Sequence, residues 1–194
     1  MKRIFLFSPL IVLSILVAIL IASKLNARKT GPDDFGGLPR FELTNQDGDS
    51  YDIADVRAKA RVINFMFTEC QGICPVLSSE MVKFQKLFTA PEALELISIS
   101  IDPENDTPEN LRTYISERKV KTENWSFLTG EKEKIKEIMT KYFKIGFHES
   151  IQNHTDRFVL IDRNNHIRGY YSMTSDTKAF SRLKNDIAWL LHHK

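Results

Sequence analysis

The sequence predicts an α/β domain preceded by one transmembrane helix, and three observations support this fold class. An uncharged apolar run lies at residues 4–22, strand-like and helix-like segments alternate from residue 61 onward, and a hairpin and a helix close the chain. Strands that alternate with helices form a sheet that is covered on both faces. A chain of 194 residues suits one domain of ordinary size plus an appendage.

The apolar run at residues 4–22 predicts a membrane anchor. Its 19 residues would span about 28 Å as a helix, close to the hydrocarbon thickness of a bilayer. A signal peptide has a shorter apolar region and a cleavage site of small residues, and this run has neither feature. We expect residues 1–24 to form an uncleaved anchor, and residues 25–38, with their Gly and Pro breakers, to form a linker.

Composition and charge narrow the function classes. Hydrophobic residues make up 42% of the chain and charged residues 27%, which allows a packed core and excludes a disordered chain. The formal net charge is +2, whereas nucleic-acid-binding domains are usually far more basic. A nucleic-acid partner is therefore not expected. Basic residues flank the apolar run in similar number on both sides, so charge alone does not orient the anchor.

The first half of the domain reads as a hairpin followed by two buried strands. Alternating runs at residues 41–44 and 50–53 flank an Asp-Gly turn, which predicts a β-hairpin. The near-continuous apolar runs at residues 61–67 and 94–101 are typical of buried parallel strands. Apolar residues at helical spacing predict a connecting helix at residues 76–88. We expect the two strands to be parallel neighbours joined by a right-handed crossover.

The second half of the domain adds helices and a closing hairpin. Thr107 is expected to cap a helix, and a short strand and another helix follow it. A second hairpin brackets the turn at residues 162–165, and Ser175 or Asp176 can cap the last helix. A βαβ start that is closed by a hairpin and a helix has the element order of the thioredoxin-like fold. Residues 39–194 are therefore expected to form a thioredoxin-like domain with an added N-terminal hairpin.

Cys70 and Cys74 are the only cysteines, and they lie in the run CQGICP between a buried strand and a helix start. Two thiols four residues apart on a first helical turn are separated by about 6 Å along the axis, which a disulfide tolerates. A helix N-terminus favours the thiolate, which is both a redox nucleophile and a ligand for soft metals. A structural disulfide would close a longer loop, and an exposed turn is not expected to bury inert thiols.

Three ordered motifs resemble the Sco/SenC family across residues 39–194. The run TECQGICP at residues 68–75 is similar to its T-x-C-x-x-x-C-P signature, and IDPENDTPE at residues 101–109 is similar to its D-P-x-x-D-T-P-E segment. The run NHT at residues 153–155, followed by VLID at residues 159–162, resembles its histidine segment. A C-x-x-x-C motif alone would say little, but the order and spacing of all three motifs are specific.

The resemblance implies a copper-binding protein that assists assembly of the binuclear copper centre of cytochrome c oxidase. By motif, Cys70, Cys74 and His154 would be the ligands of Cu(I) or Cu(II). The implied partner is cytochrome c oxidase subunit II or another copper-site apoprotein. The expected location is a bacterial inner membrane, which residues 4–22 would span. The cysteine chemistry, which suits an oxidising compartment, predicts that the domain faces the periplasm or the extracellular side. Many members carry Asp midway between the cysteines, where this chain has Gly72.

The histidine and aspartate residues near the motifs have structural interpretations beside the functional ones. A lone histidine before a strand is more often structural than a ligand, so His154 depends on its motif, and His148 in the same region is a weak competitor. Asp102 and Asp106 could suggest paired carboxylates for acid–base chemistry. Their positions after a strand and before a helix instead favour turn and capping roles that support the cysteine loop.

Three other functions remain open from the sequence. A thiol–disulfide reductase could use Cys70 and Cys74 as its attacking and resolving thiols, keeping a partner's copper-ligand cysteines reduced, and it would not need His154. A peroxidase of the peroxiredoxin type would use a low-pKa thiolate, but the proline expected ahead of Thr68 is missing. A sensor that binds copper without delivering it is the third possibility. The sequence thus leaves open whether the protein is an enzyme.

Overall fold

A computed structural model describes residues 8–27, 31–146 and 155–193 of the chain. It divides into two compact units, residues 1–32 and residues 33–194. The first unit contains α1, Ser8–Ala27, on which the apolar side chains from Ile11 to Ile21 are exposed. Within the described ranges, no helix combines the length and hydropathy needed to cross a membrane.

The second unit is an α/β domain whose elements alternate as expected. They are β1 (Glu42–Asn45), β2 (Ser50–Asp52), β3 (Ala60–Met66), α2 (Cys74–Leu87), β4 (Leu94–Ser100), α3 (Pro108–Glu117), β5 (Trp125–Thr129), α4 (Lys132–Glu137), β6 (Arg157–Asp162), β7 (Ile167–Ser172) and α5 (Ala179–His192).

Seven strands form one mixed sheet in the order β2-β1-β5-β4-β3-β6-β7. The predicted parallel pairing of β3 with β4 is confirmed. Ala60 lies opposite Leu94 at the start of the pair, and Met66 lies opposite Ser100 at its end. The antiparallel strand β6 lies on the other side of β3, and β7 forms the edge. Because β3 and β4 are parallel, their carboxyl ends lie side by side at one end of the sheet. Ligands commonly bind at the carboxyl ends of such strands.

Each face of the sheet has its own hydrophobic core, because side chains alternate along the strands. Alternate residues of β3, such as Val62, pack with α2, α3 and α5 in one core, and this core contains Cys70 and Cys74. The intervening residues, such as Ile63 and Phe65, pack with α4 and the π-helical turn Ile138–Tyr142 in the other core. The expected coverage of both faces is confirmed.

Residues 33–38, predicted to be linker, form a strap along β7. Phe35 N–H donates to the Ile167 carbonyl at 2.8 Å, and Ile167 N–H donates to the Gly36 carbonyl at 3.0 Å. Leu38 N–H donates to the Asn165 carbonyl at 2.7 Å. The strap thus extends the sheet beyond β7, which covers backbone groups that an edge strand would otherwise expose.

The last helix begins later than its sequence signals suggest. Neither Ser175 nor Asp176 is its N-cap: the helix starts at Ala179, and Lys178 caps it without a side-chain hydrogen bond. The Asp176 carboxylate instead accepts from the Lys178 N–H at 2.8 Å. An Asp side chain that bonds the backbone two residues on stabilises a turn, and this turn precedes the helix.

Candidate metal and thiol site

The cysteine turn joins the carboxyl end of β3 to the first residue of α2, as the sequence predicted. Cys74 opens the helix, with Pro75 in its first turn, where proline costs no intrahelical hydrogen bond. Cys70 N–H donates to the Phe67 carbonyl at 3.3 Å. The Cys74 N–H donates to the Cys70 Sγ at 3.4 Å. The turn therefore folds the first sulfur back over the start of the helix that carries the second.

Both thiols are buried, which corrects the expectation of an exposed turn. Cys70 is 5% exposed and Cys74 is 2% exposed. Burial raises the pKa of the Cys74 thiol, and its hydrogen bond to Cys70 raises it further. The lowering expected from a helix N-terminus is therefore outweighed at Cys74, because desolvation of a thiolate costs more than the helix dipole returns.

Asp106 ties the cysteine turn to the end of β4. Its carboxylate accepts from the Thr68 N–H at 3.1 Å and from the Thr68 hydroxyl at 2.6 Å. It also accepts from the Ser100 hydroxyl at 2.6 Å. Asp106 is only 1% exposed, and burial raises the pKa of its carboxyl group. Three donors thus hold a buried carboxylate directly behind the turn that leads to Cys70.

Asp102 has a local role in the same loop. Its carboxylate accepts from the Asn105 side-chain amide at 2.9 Å, and its carbonyl accepts from the Asp106 N–H at 2.8 Å. Its own N–H donates to the Ser100 hydroxyl at 3.0 Å. These contacts organise the turn between β4 and α3, whose N-cap is Thr107 as predicted. Of the two aspartates, Asp106 alone has a described hydrogen bond to the segment leading to Cys70.

A hydrogen bond ties the cysteine helix to α3. The hydroxyls of Ser78, one helical turn after Cys74, and Tyr114 lie 3.0 Å apart. Tyr114 is 5% exposed, and burial raises the pKa of its hydroxyl group. This pair could not be predicted from the sequence, because both residues have the pattern of ordinary helix positions.

The predicted histidine ligand, His154, lies outside the described residues, as does His148. Within the ranges that the structure describes, no group of three or more His, Cys, Asp or Glu side chains is arranged to hold a metal ion. The chain resumes at Thr155 and enters β6, which pairs directly with β3, the strand that leads to Cys70. Because the two strands are antiparallel, the start of β6 lies at the end of β3 that leads to the cysteine turn.

Asp156 fastens the start of β6, a role that sequence analysis missed. Its carboxylate accepts from the Ser172 hydroxyl, from the Thr174 hydroxyl at 2.5 Å and from the Thr174 N–H at 3.2 Å. Burial acts to raise the pKa of Asp156, but these hydrogen bonds hold it below its ordinary value. The available signal was the serine that ends β7 and the threonine two residues later, whose hydroxyls needed an acceptor.

Gly72 lies exposed between the two cysteines. A Cβ placed on it would meet no atom within 4 Å, and its φ angle lies outside the left-handed region that favours glycine. The missing carboxylate is therefore not excluded by space or by backbone conformation.

Comparisons with known proteins agree with the motifs. The family model SCO1/SenC matches residues 28–191. A SCO1 protein homolog of Bacillus subtilis is 35% identical over 106 residues, which cover 54% of this chain and 55% of that relative. The alignment thus spans about half the length of that relative.

Solved structures share the fold over most of the chain. A SCO1/SenC family lipoprotein from Bacillus anthracis is 33% identical with a TM-score of 0.73, covering 83% of this chain and 99% of that one. BsSco, a Sco family cytochrome c oxidase assembly protein with a disulfide switch, is 27% identical with a TM-score of 0.72. The match covers 84% of this chain and 98% of that one.

A structure of Bradyrhizobium japonicum ScoI with copper bound is 23% identical with a TM-score of 0.58, covering 82% of this chain and all of that one. At that identity the likeness concerns the fold alone. The family model covers far more than half of the chain, and the cysteine turn, the Asp106 loop and the sheet order fit the motifs that suggested it. The chain belongs to the SCO1/SenC family.

Proposed function

We propose that this protein is a membrane-anchored copper metallochaperone that binds copper through Cys70, Cys74 and His154 and supplies it to the binuclear centre of cytochrome c oxidase. One observation carries the proposal: the turn after β3 folds the Cys70 sulfur over the helix that begins at Cys74, with the Cys74 N–H 3.4 Å from that sulfur. Two sulfurs are thereby gathered at one edge of the sheet.

The donor chemistry fits copper as cargo. Two thiolates suit Cu(I), which accepts low coordination, and an added imidazole suits Cu(II). The thiols are buried among apolar side chains, where a cation is tolerated only when opposite charges pair with it, as two thiolates would. A relative supports the assignment, since BsSco is described as a member of a family of cytochrome c oxidase assembly proteins.

The proposed location places this site outside the cytoplasm. Residues 4–22 would hold the protein in a bacterial inner membrane, and residues 33–194 would face the periplasm or the extracellular side. The Bacillus anthracis relative is a lipoprotein, which also fits attachment to a membrane. Labelling Cys70 in intact cells and in opened spheroplasts with a thiol reagent that does not cross membranes tests the orientation. Labelling that requires opening of the inner membrane contradicts it.

Copper titration of a fragment covering residues 31–194 tests the metal site. We expect one copper ion per chain and a thiolate-to-copper(II) absorption band. His154→Ala should remove most of that band while leaving some Cu(I) affinity, because Cu(I) tolerates two ligands. Cys70→Ser or Cys74→Ser should remove tight binding of both oxidation states, because a hydroxyl is a harder and far less acidic ligand.

His148→Ala is the matched control and should leave copper binding unchanged. Wild-type Cu(II) affinity and spectrum in the His154→Ala variant would remove His154 from the ligand set.

The second candidate is a thiol–disulfide reductase that keeps a partner's copper-ligand cysteines reduced. The close thiol pair at a helix start favours it, since one thiolate can attack a disulfide while the other resolves the mixed disulfide. A reductase would retain its activity in the His154→Ala variant, whereas the copper chaperone would lose Cu(II) binding. Assaying both properties on that variant separates the two functions.

A further inference from the structure

The segment before Cys70 is held by a buried carboxylate from the loop between β4 and α3. We infer that Asp106 is the positioning residue of the cysteine turn: it fixes Thr68, and through Thr68 the spacing of the Cys70 and Cys74 sulfurs. The inference rests on the proposed function only in taking these two thiols as the working pair.

Asp106 is bonded to both sides of the cysteine turn's base, through Thr68 and through Ser100. Thr68 gives Asp106 both of its donors, the N–H at 3.1 Å and the hydroxyl at 2.6 Å. Ser100, the last residue of β4, gives its hydroxyl at 2.6 Å. One carboxylate therefore bridges the two strands at the point where they stop pairing, two residues before Cys70. Since two donors of Thr68 are bonded to the same buried carboxyl group, Thr68 has little freedom to move.

The second step is burial without a counter-ion. Asp106 is 1% exposed, and its described hydrogen-bond partners are hydroxyl and backbone N–H groups, with no cation among them. A buried carboxylate of this kind costs stability and persists only where its donors are well placed. Asp102 offers a contrast in the same loop, since its carboxylate contacts Asn105 and has no described bond to the cysteine turn.

The third step is the effect on the thiols. A disulfide between two cysteines forms more readily the better each sulfur is held near the other, because positioning raises their effective concentration. Releasing Thr68 lets the turn drift and lowers that concentration. The Cys70–Cys74 disulfide then becomes easier to reduce. The role predicts a change in the thiol equilibrium beyond any general loss of stability.

The experiment equilibrates copper-free protein with dithiothreitol of defined redox ratio and measures the fraction of protein disulfide. The reagent gives two electrons and two protons to the Cys70–Cys74 disulfide and becomes a cyclic disulfide itself. Asp106→Ala should shift the equilibrium constant toward the dithiol by about tenfold, which corresponds to about 30 mV. Asp106→Asn should restore the wild-type equilibrium, because its amide oxygen can accept from Thr68 and its amide nitrogen can donate to Ser100.

Ser98→Ala is the matched control. Ser98 is buried, donates to Asn64 at 2.7 Å across β3 and β4, and accepts from Trp125 at 2.9 Å, but it has no described hydrogen bond to the cysteine turn. It should lower the melting temperature without moving the thiol equilibrium.

The inference is overturned if Asp106→Ala keeps the wild-type equilibrium, if Ser98→Ala shifts it equally, or if Asp106→Asn behaves like Asp106→Ala, which would assign the effect to charge. Thr68→Val, which keeps the backbone donor, covers the case in which Asp106→Ala does not fold, and should give a smaller shift in the same direction. No shift in that variant would also overturn the inference. Since no copper is used, a failure of the copper proposal would appear separately, in the metal titration.

Discussion

The hydrogen bond between Ser78 and Tyr114 allows a quantitative prediction about how firmly the cysteine helix is held. The two hydroxyls lie 3.0 Å apart, and Tyr114 is 5% exposed. A neutral hydrogen bond contributes about 0.5–1.5 kcal/mol net. Tyr114→Phe removes the buried hydroxyl together with its bond, so the free energy of unfolding should fall by about 1 kcal/mol. For a domain of this size, that corresponds to a drop of about 2–4 °C in melting temperature.

Ser78→Ala should cost more, because it leaves the tyrosine hydroxyl buried without its partner. An unsatisfied buried hydroxyl costs about 1–3 kcal/mol. The double variant should lose less than the sum of the two single losses, since neither group then lacks a partner. The expected coupling energy is about 0.5–1.5 kcal/mol.

The free energy of unfolding is measured for the wild type, the two single variants and the double variant of residues 31–194. Urea unfolding is monitored by tryptophan fluorescence and analysed by linear extrapolation. Tyr170→Phe is the matched control, since the Tyr170 hydroxyl donates to the Phe143 carbonyl at 3.0 Å and not to Ser78. Its effect should simply add to that of Ser78→Ala. Strict additivity of Tyr114→Phe with Ser78→Ala would refute the reasoning, because the two hydroxyls would then not interact.

Two further predictions concern Gly72, which lies between the cysteines, and Asp156, which precedes β6. Gly72→Ala should raise the free energy of unfolding by about 0.4–1 kcal/mol, because the new methyl group meets no atom within 4 Å and the unfolded chain loses freedom; a destabilised variant in urea unfolding would contradict the open geometry. Asp156→Asn should destabilise the domain at pH 7, because hydrogen bonds from Ser172 and Thr174 hold the pKa of Asp156 below its ordinary value. That stability is present above the unfolded-state pKa and is lost as pH falls through the folded-state pKa, so the difference from wild type should shrink below about pH 3.9. A difference that is constant from pH 7 to pH 3 would show that ionisation of Asp156 plays no part.

The sheet was predictable because its signals are local and strong. The strands β3 and β4 could be predicted from their near-continuous apolar runs, and their parallel pairing follows from the helix between them. Thr107 followed by a proline marked the start of α3 in the same way. The position of the cysteine turn at the end of β3 then followed without any long-range information.

The properties of the site depended on contacts between distant residues, and these were less predictable. Cys70 and Cys74 are buried because they belong to a core that also contains residues of α3 and α5, which no pattern around the cysteines indicates. The separate roles of Asp102 and Asp106 depend on which carboxylate reaches Thr68, and both lie in one motif. The delayed start of α5 shows the same limit on a smaller scale, because Asp176 could serve a cap or a turn equally well.

The strap at residues 33–38 gives the domain a mechanical property. Any force that reaches the domain through residues before Asp33 would first load the strap, before it reached β1 or β2. The strap is held by its backbone hydrogen bonds to β7 and by two side-chain hydrogen bonds. His166 Nδ1 lies 2.9 Å from the Asp34 carboxylate, and the Arg168 side chain donates to the Asp33 carbonyl at 2.8 Å. These bonds lie at the end of β7 where the β6–β7 turn enters it, whereas the cysteine turn follows the opposite ends of the strands. The strap would therefore bear tension that is transmitted through the residues before Asp33, and the spacing of the two sulfurs would stay unchanged.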